Sequence, residues 1–157
     1  MRLDRSDFLH LVRCGPLVSL DLVVRDPAGR VLVGWRVNRP ARDAWFVPGG
    51  RVYKDERLGD AFRRVTEAEL GAPRALAEAT FLGVFEHLYD DNGLDAPGVS
   101  THYVVLAYEL RVDDGLQPPA AQHSDYRWMP VAELLADAAV HANTRAYFEA
   151  SPSTAPC

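Results

Sequence analysis

The segment Leu17-Val18-Ser19-Leu20-Asp21-Leu22-Val23-Val24 is apolar except at Ser19 and Asp21, which predicts a largely buried strand. Pro27-Ala28-Gly29 is a turn signal, and Val31-Leu32-Val33-Gly34-Trp35 is the expected hairpin partner. Asn38-Arg39-Pro40-Ala41 opens a loop, and Trp45-Phe46-Val47 is a short strand that ends at Pro48-Gly49-Gly50. Residues 81–87 and 102–111 read as a strand pair with a polar, turn-rich connection, and Tyr126 to Met129 as a last short strand. Ser6-Asp7 is placed to cap a short helix through Phe8, Leu9, Leu11 and Val12, which Pro16 stops. Residues 57–70 have helical periodicity up to Gly71, and two more helical stretches follow Pro130 and Asn143. Strands and helices mix without β-α-β alternation, so the expected fold class is α/β, a mixed β-sheet in an α/β/α sandwich. The expected organisation is a single domain over 1–150, with a disordered tail over 151–157.

One helix breaks its own pattern. Leu58, Phe62 and Val65 follow the i, i+4, i+7 rule and define a core-facing stripe. At about 100° per residue, Glu69 falls near the middle of that stripe. A carboxylate aimed at a core is costly unless it is paired or ligated. Helix phase alone leaves two readings level, a functional carboxylate or a last-turn Glu that reaches solvent or an arginine.

Composition narrows the function classes. A chain of 157 residues, 48% hydrophobic and 25% charged, can bury one core without staples, so it is neither disordered nor fibrous. The net charge of −5 disfavours a non-specific grip on a nucleic-acid backbone. No apolar run approaches a membrane span, and the charged start, Met1-Arg2-Leu3-Asp4-Arg5, lacks a signal-peptide core. Cys14 and Cys157 make no metal-ligand spacing, so a reducing, cytoplasmic location is expected. Lys54 is the sole lysine, and isoleucine is absent. Compositional bias explains most of the arginine excess, so each arginine has to be argued singly.

Spacing supplies the candidate chemistry. Gly50, five residues, Glu56, seven residues, Arg64, then Glu69 and Gly71 resembles the Nudix box over residues 50–71. The box expects a Glu where Val65 stands, an aliphatic residue at Thr66 and the first of two paired glutamates at Ala68. Further segments match the branch of the Nudix family formed by the GDP-mannose mannosyl hydrolases, whose box is degenerate. They include Trp45-Phe46-Val47-Pro48-Gly49-Gly50-Arg51-Val52, His87-Leu88-Tyr89-Asp90-Asp91-Asn92, Thr101-His102-Tyr103, Gln122-His123 and His141-Ala142-Asn143. The resemblance runs from about Leu3 to about Phe148.

That resemblance implies a Nudix fold and Mg²⁺-dependent hydrolysis of GDP-mannose, with GDP-glucose a second candidate. Water would attack the anomeric carbon with inversion, giving GDP and free sugar. It implies one Mg²⁺ per site, with Mn²⁺ an alternative, on the Gly49 carbonyl, the Glu69 carboxylate and the Gln122 amide oxygen, all hard donors. His123 is the implied general base, at an intrinsic pKa suited to neutral pH. Arg36 is implied to stabilise the leaving diphosphate. Asp21 is a further catalytic candidate, although its strand phase leaves sugar binding, orientation of a histidine and a plain edge position open. Arg51, His87 and Tyr103 are implied substrate contacts. The family's homodimer, whose N-terminal segment helps bind the nucleotide, adds Arg2, Leu3 and Phe8. Two rivals remain: a Nudix pyrophosphohydrolase attacking phosphorus, and a non-catalytic nucleotide-sugar binding module.

Overall fold

The structure is a computed structural model that describes residues 3–119 and 125–149. Arg2, Gln122, His123 and the 151–157 tail lie outside the described residues. The strands are β1 (Leu17–Arg25), β2 (Val31–Trp35), β3 (Trp45–Phe46), β4 (Gly49–Arg51), β5 (Thr80–Tyr89), β6 (Thr101–Arg111) and β7 (Tyr126–Met129). The helices are α1 (Arg5–Cys14), α2 (Leu58–Leu70), α3 (Val131–Ala136) and α4 (Ala142–Arg145), with one 3-10 turn at Leu76–Glu78 that the sequence did not signal. The sheet runs β3-β2-β1-β6-β5, with β4 also on β1 and β7 also on β2. β1 lies parallel to β6 and antiparallel to β2 and β4, which is the expected mixed sheet.

β1 is buried on both faces, and its alternation assigns them. Leu20, Leu22 and Val24 pack with Ala61, Phe62 and Val65 of α2. Val23 turns to the other layer, with Trp45, Phe46, Leu134 of α3 and Val140. Asp21 shares that second face by the same period. Its place in an apolar run is therefore a matter of which layer it meets, which the sequence could not supply.

Local signals held with small shifts: α4 begins at Ala142, ahead of the Asn143 it was expected to follow. The N-cap of α1 is Asp4, not Ser6-Asp7: the Asp4 carboxylate accepts the Asp7 N–H at 2.9 Å, and Ser6 Oγ donates to the same oxygen at 2.8 Å. In α2 burial begins at Ala61 and Phe62, whereas Leu58, in the first turn, stays exposed. The helix ends at Gly71 in the left-handed conformation, φ 79°, as its position predicts. The polar connection after β5 is closed by buried Asn92, whose amide donates to the carbonyls of Ala96 and Val99 and accepts from two backbone N–H groups. Among the described residues no helix is long and apolar enough to cross a membrane.

Candidate functional site

The Gly49-Gly50 pair lies in β4, not in a turn, and its lack of side chains lets three elements meet. A Cβ on Gly49 would sit 2.6 Å from both the Leu20 carbonyl oxygen and Asp21 Oδ1. A Cβ on Gly50 would sit 2.9 Å from Val65 Cγ2. Neither glycine has a left-handed backbone, so the requirement is space. β4 thereby closes on β1 with Asp21 opposite Gly49, and on α2 from the other side. Leu22 N–H bonds the Pro48 carbonyl at 2.8 Å, and Val52 N–H bonds that of Val18 at 2.9 Å. Antiparallel pairs alternate, so Gly49 and Arg51 turn their carbonyls away from β1. Arg64 of α2 takes the Arg51 carbonyl at 2.7 Å, which fixes the direction. The Gly49 carbonyl, two residues along, faces the same way.

Arg64 is the tie between helix and strand. It grips Glu56 through two nitrogens at 2.7 and 2.8 Å and lies 3.9 Å over the Tyr53 ring. Glu56 also accepts the Tyr53 N–H at 2.9 Å. These bonds hold the Glu56 carboxyl below its usual range, against the opposing effect of its burial. The Glu and Arg of the box thus shape the loop between β4 and α2.

A cleft of about 200 Å³ opens beside β4, lined by Asp21, Arg36, Phe46, Arg51, His87 and Tyr103 among others. Four residues proposed from the sequence as catalytic or substrate contacts thereby share one cleft with Asp21. Arg36 lies 5.6 Å over the Phe46 ring, and its Nε is buried without a hydrogen-bond partner among the described residues, a donor fit for an anion. A second groove, lined by Phe8, Arg36, Arg39, Arg51 and Tyr103, continues from the cleft toward α1. A third joins Leu3 and Phe8 to Arg51 and Lys54. Phe8 is stacked against the Arg51 guanidinium at 4.0 Å and packs with the small core of Val12, Leu17 and Val99.

Asp21 is the most perturbed carboxyl of the cleft. Burial pushes it up to about 7 and the Glu69 carboxylate adds to this, while a hydrogen bond from Tyr147 and the charge of Arg36 oppose. Tyr147 Oη lies 2.6 Å from Asp21 Oδ2 and 3.1 Å from His87 Nε2. Burial, with His141 nearby, pushes His87 down to about 4, so it is neutral at pH 7. Burial also raises Tyr103, although Arg51 and Arg36 pull it down. Tyr147, and Asn143 on the Tyr89 hydroxyl at 3.1 Å, are members of the site that had no assigned role. Asn143 carried a signal in the His141-Ala142-Asn143 match; Tyr147 carried none.

Glu69 is 5% exposed, as the helix phase warned. Its charge reaches Asp21 on the one side and Tyr126 on the other, where burial first and then Glu69 push the phenol up to about 12. Glu67 and Ala68 face solvent. Among the described residues no three His, Cys, Asp or Glu side chains form a metal cluster. The donors present are the buried Glu69 carboxylate and the outward-turned Gly49 carbonyl, with the Asp21 carboxyl within electrostatic reach of Glu69. Those hard oxygens fit one divalent cation, whose charge would offset the repulsion between Glu69 and Asp21.

An α/β/α sandwich with a Gly-x5-Glu-x7-Arg strand-loop-helix beside a cleft lined with arginines defines a Nudix hydrolase. A family model for the NUDIX domain matches residues 15–150, and the chain belongs to that family. It is 43% identical over 127 residues to the low-salt glycan biosynthesis protein Agl8 of Haloferax volcanii, covering 80% of this chain and 78% of that protein. The fold matches the MutT protein from Methanosarcina mazei Go1 with a TM-score of 0.68 at 20% identity, over 87% of this chain and 93% of that one. A MutT Nudix hydrolase from Burkholderia pseudomallei matches with 0.68 at 28% identity, over 86% and 97%. The Nudix domain of Shewanella oneidensis NrtR, complexed with ADP ribose, matches with 0.62 at 20% identity, over 93% and 96%. Nudix hydrolases in general act with a divalent metal such as Mg²⁺.

Proposed function

We propose that this chain is a Mg²⁺-dependent GDP-sugar hydrolase, with GDP-mannose the foremost substrate, in which water attacks the anomeric carbon and GDP leaves. The observation that carries this reading is the state of the box. Val65 is 1% exposed and packed into the core against Gly50, and Ala68 faces solvent, so of the carboxylates of α2 Glu69 is the buried one left to serve the site. Attack at phosphorus in ordinary Nudix enzymes draws on a cluster of carboxylates that these positions do not offer. Attack at carbon needs less: neutralisation of the leaving diphosphate and a base on the far side of the sugar.

The cleft supplies the first. Arg36, whose Nε has no hydrogen-bond partner among the described residues, and Arg51 are the groups that would hold the diphosphate, and the groove to Phe8 and Leu3 would take the nucleoside. A cation on the Gly49 carbonyl, Glu69 and Gln122 would neutralise the phosphate oxygens when bound. His123 is the proposed base. Support for Gln122 and His123 comes from the residues that flank them. Pro119 lies 3.5 Å from where a Cβ on Gly71 would be, and its carbonyl accepts the Tyr126 hydroxyl at 3.1 Å, so the chain enters this segment beside the Glu69 end of α2. A relative in glycan biosynthesis is consistent with a sugar-bearing substrate.

The reading extends to a cytoplasmic homodimer. β5 is an edge strand with Phe81, Val84 and Leu88 exposed, the last at 71%, a surface that a second copy would cover. Arg2, Leu3 and Phe8 would then border the nucleotide groove.

The deciding experiment is product analysis after incubation with GDP-mannose and Mg²⁺ in ¹⁸O-water. GDP with the label in mannose is expected. GMP and mannose 1-phosphate would overturn attack at carbon, and tight binding without turnover would make the chain a binding module. Sedimentation velocity tests the dimer, and a monomer at micromolar concentration removes it.

A further inference from the structure

The inner wall of the cleft is set from behind by a residue that does not line it. β1 and β5 present Asp21 and His87 to the cleft, and Tyr147, just beyond α4, bridges them at 2.6 Å and 3.1 Å. Phe85 holds the Tyr147 ring edge-on at 4.7 Å between centroids. A phenol has one proton to give. Burial, and then the Asp21 carboxylate beside it, raise the Tyr147 hydroxyl far above its ordinary pKa, so that proton is retained. The contact to Asp21, at 2.6 Å, has the length of an O–H···O⁻ bond and is the shorter of the two, so the proton lies toward the ionised carboxylate. The hydroxyl can then meet His87 only with a lone pair, and Nε2 must be the donor. A neutral imidazole with its hydrogen on Nε2 has a bare Nδ1, which accepts.

We propose that Tyr147 is a positioning residue that sets the hydrogen-bond polarity of the glycosyl subsite: by donating a hydrogen bond to the ionised Asp21 carboxylate and accepting one from His87 Nε2, it leaves both to face the cleft as acceptors and so selects a neutral sugar whose hydroxyls donate. The inference rests on the GDP-sugar reading above for the ligand, and on geometry alone for the tautomer. Two acceptors receive sugar hydroxyls well. They face a glycosyl carboxylate, as in a uronic acid, acceptor to acceptor, and reject it.

Two measurements test this. In the full-length protein, ¹⁵N chemical shifts of the His87 ring report its tautomer directly, and a proton on Nε2 with Nδ1 bare is expected at about pH 8.5, where Asp21 is ionised and His87 neutral. A proton on Nδ1 overturns the proposal whatever the substrate proves to be. The second compares kcat/KM for GDP-mannose with its 2-, 3-, 4- and 6-deoxy analogues in the unaltered enzyme and in Tyr147→Phe. The unaltered enzyme is expected to prefer GDP-mannose over at least one analogue by about tenfold or more, and Tyr147→Phe to shrink that preference to about threefold or less. A structural role alone would slow all substrates together and leave the ratios unchanged, which would overturn the proposal. If Tyr147→Phe fails to fold, the tautomer decides. If the unaltered enzyme does not turn over GDP-mannose, the substrate reading falls by itself, and the tautomer still decides for or against Tyr147.

Discussion

Replacing Gly50 by Ala places a methyl group 2.9 Å from Val65 Cγ2, with Cγ1 at 3.6 Å and Cβ at 3.8 Å. Only the first contact is short, by about half an ångström from ordinary packing. Val65 is 1% exposed, and its branched Cβ leaves it few rotamers, so it cannot simply swing aside. The expected cost of Gly50→Ala is about 1–3 kcal/mol, typical of an overpacked core. Val65→Ala alone removes two buried methyl groups and is expected to cost about 1.5–3 kcal/mol. The double variant lacks the clash and partly refills the space, so it should be no less stable than Val65→Ala alone. The coupling energy would then be about 1–3 kcal/mol of the relieving sign. Urea denaturation with the slope held fixed measures all four states, and calorimetry should show shifts of about 2–4 °C per kcal/mol at this chain length. Gly49→Ala is the control: its Cβ meets the Leu20 backbone oxygen at 2.6 Å, and Val65→Ala should not rescue it. Additivity of Gly50→Ala and Val65→Ala within about 0.5 kcal/mol would refute the claim that the Val65 side chain is what requires glycine at position 50.

Arg64→Ala strips Glu56 of its bidentate partner and the Arg51 carbonyl of its donor, and should cost about 1–3 kcal/mol by denaturation; Arg64→Lys should recover less than half, because a single ammonium cannot reproduce the fork. His87 has a folded pKa of about 4 against 6.5 when unfolded, so the neutral ring contributes stability that is fully present above about pH 6.5 and lost as pH falls toward 4. His87→Gln should remove that slope, on the order of 3 kcal/mol across the window, in the difference between the two stability curves; parallel curves would contradict a buried neutral histidine. Glu69→Gln should sharply raise the Mg²⁺ concentration needed for half-maximal turnover, and an unchanged metal requirement would remove Glu69 as a ligand. His123→Gln should lower kcat on the order of 10²–10⁴-fold with the melting temperature unchanged, and full turnover would remove it as the base.

The elements were legible because their signals are local. The apolar run 17–24, the periodicity of 57–70 and the Gly71 stop are written in neighbouring residues, and each stands within a residue or two of its expected place. Glu69 was legible for the same reason, since helix phase alone aims it at the core. Box spacing and the longer resemblance named Asp21, Arg36, Arg51, His87 and Tyr103 as candidates, and the fold brings all five to one cleft. What the sequence did not hold was which sheet layer Asp21 faces, why Gly49 and Gly50 must be glycine, and that Tyr147 stands between Asp21 and His87. Asp21 and Tyr147 are 126 residues apart, and no periodicity spans such a distance. Those facts depend on which strands pair and which helix returns across them. Tertiary structure alone decides them, because hydrogen-bond polarity and steric closure are set between layers and not along the chain.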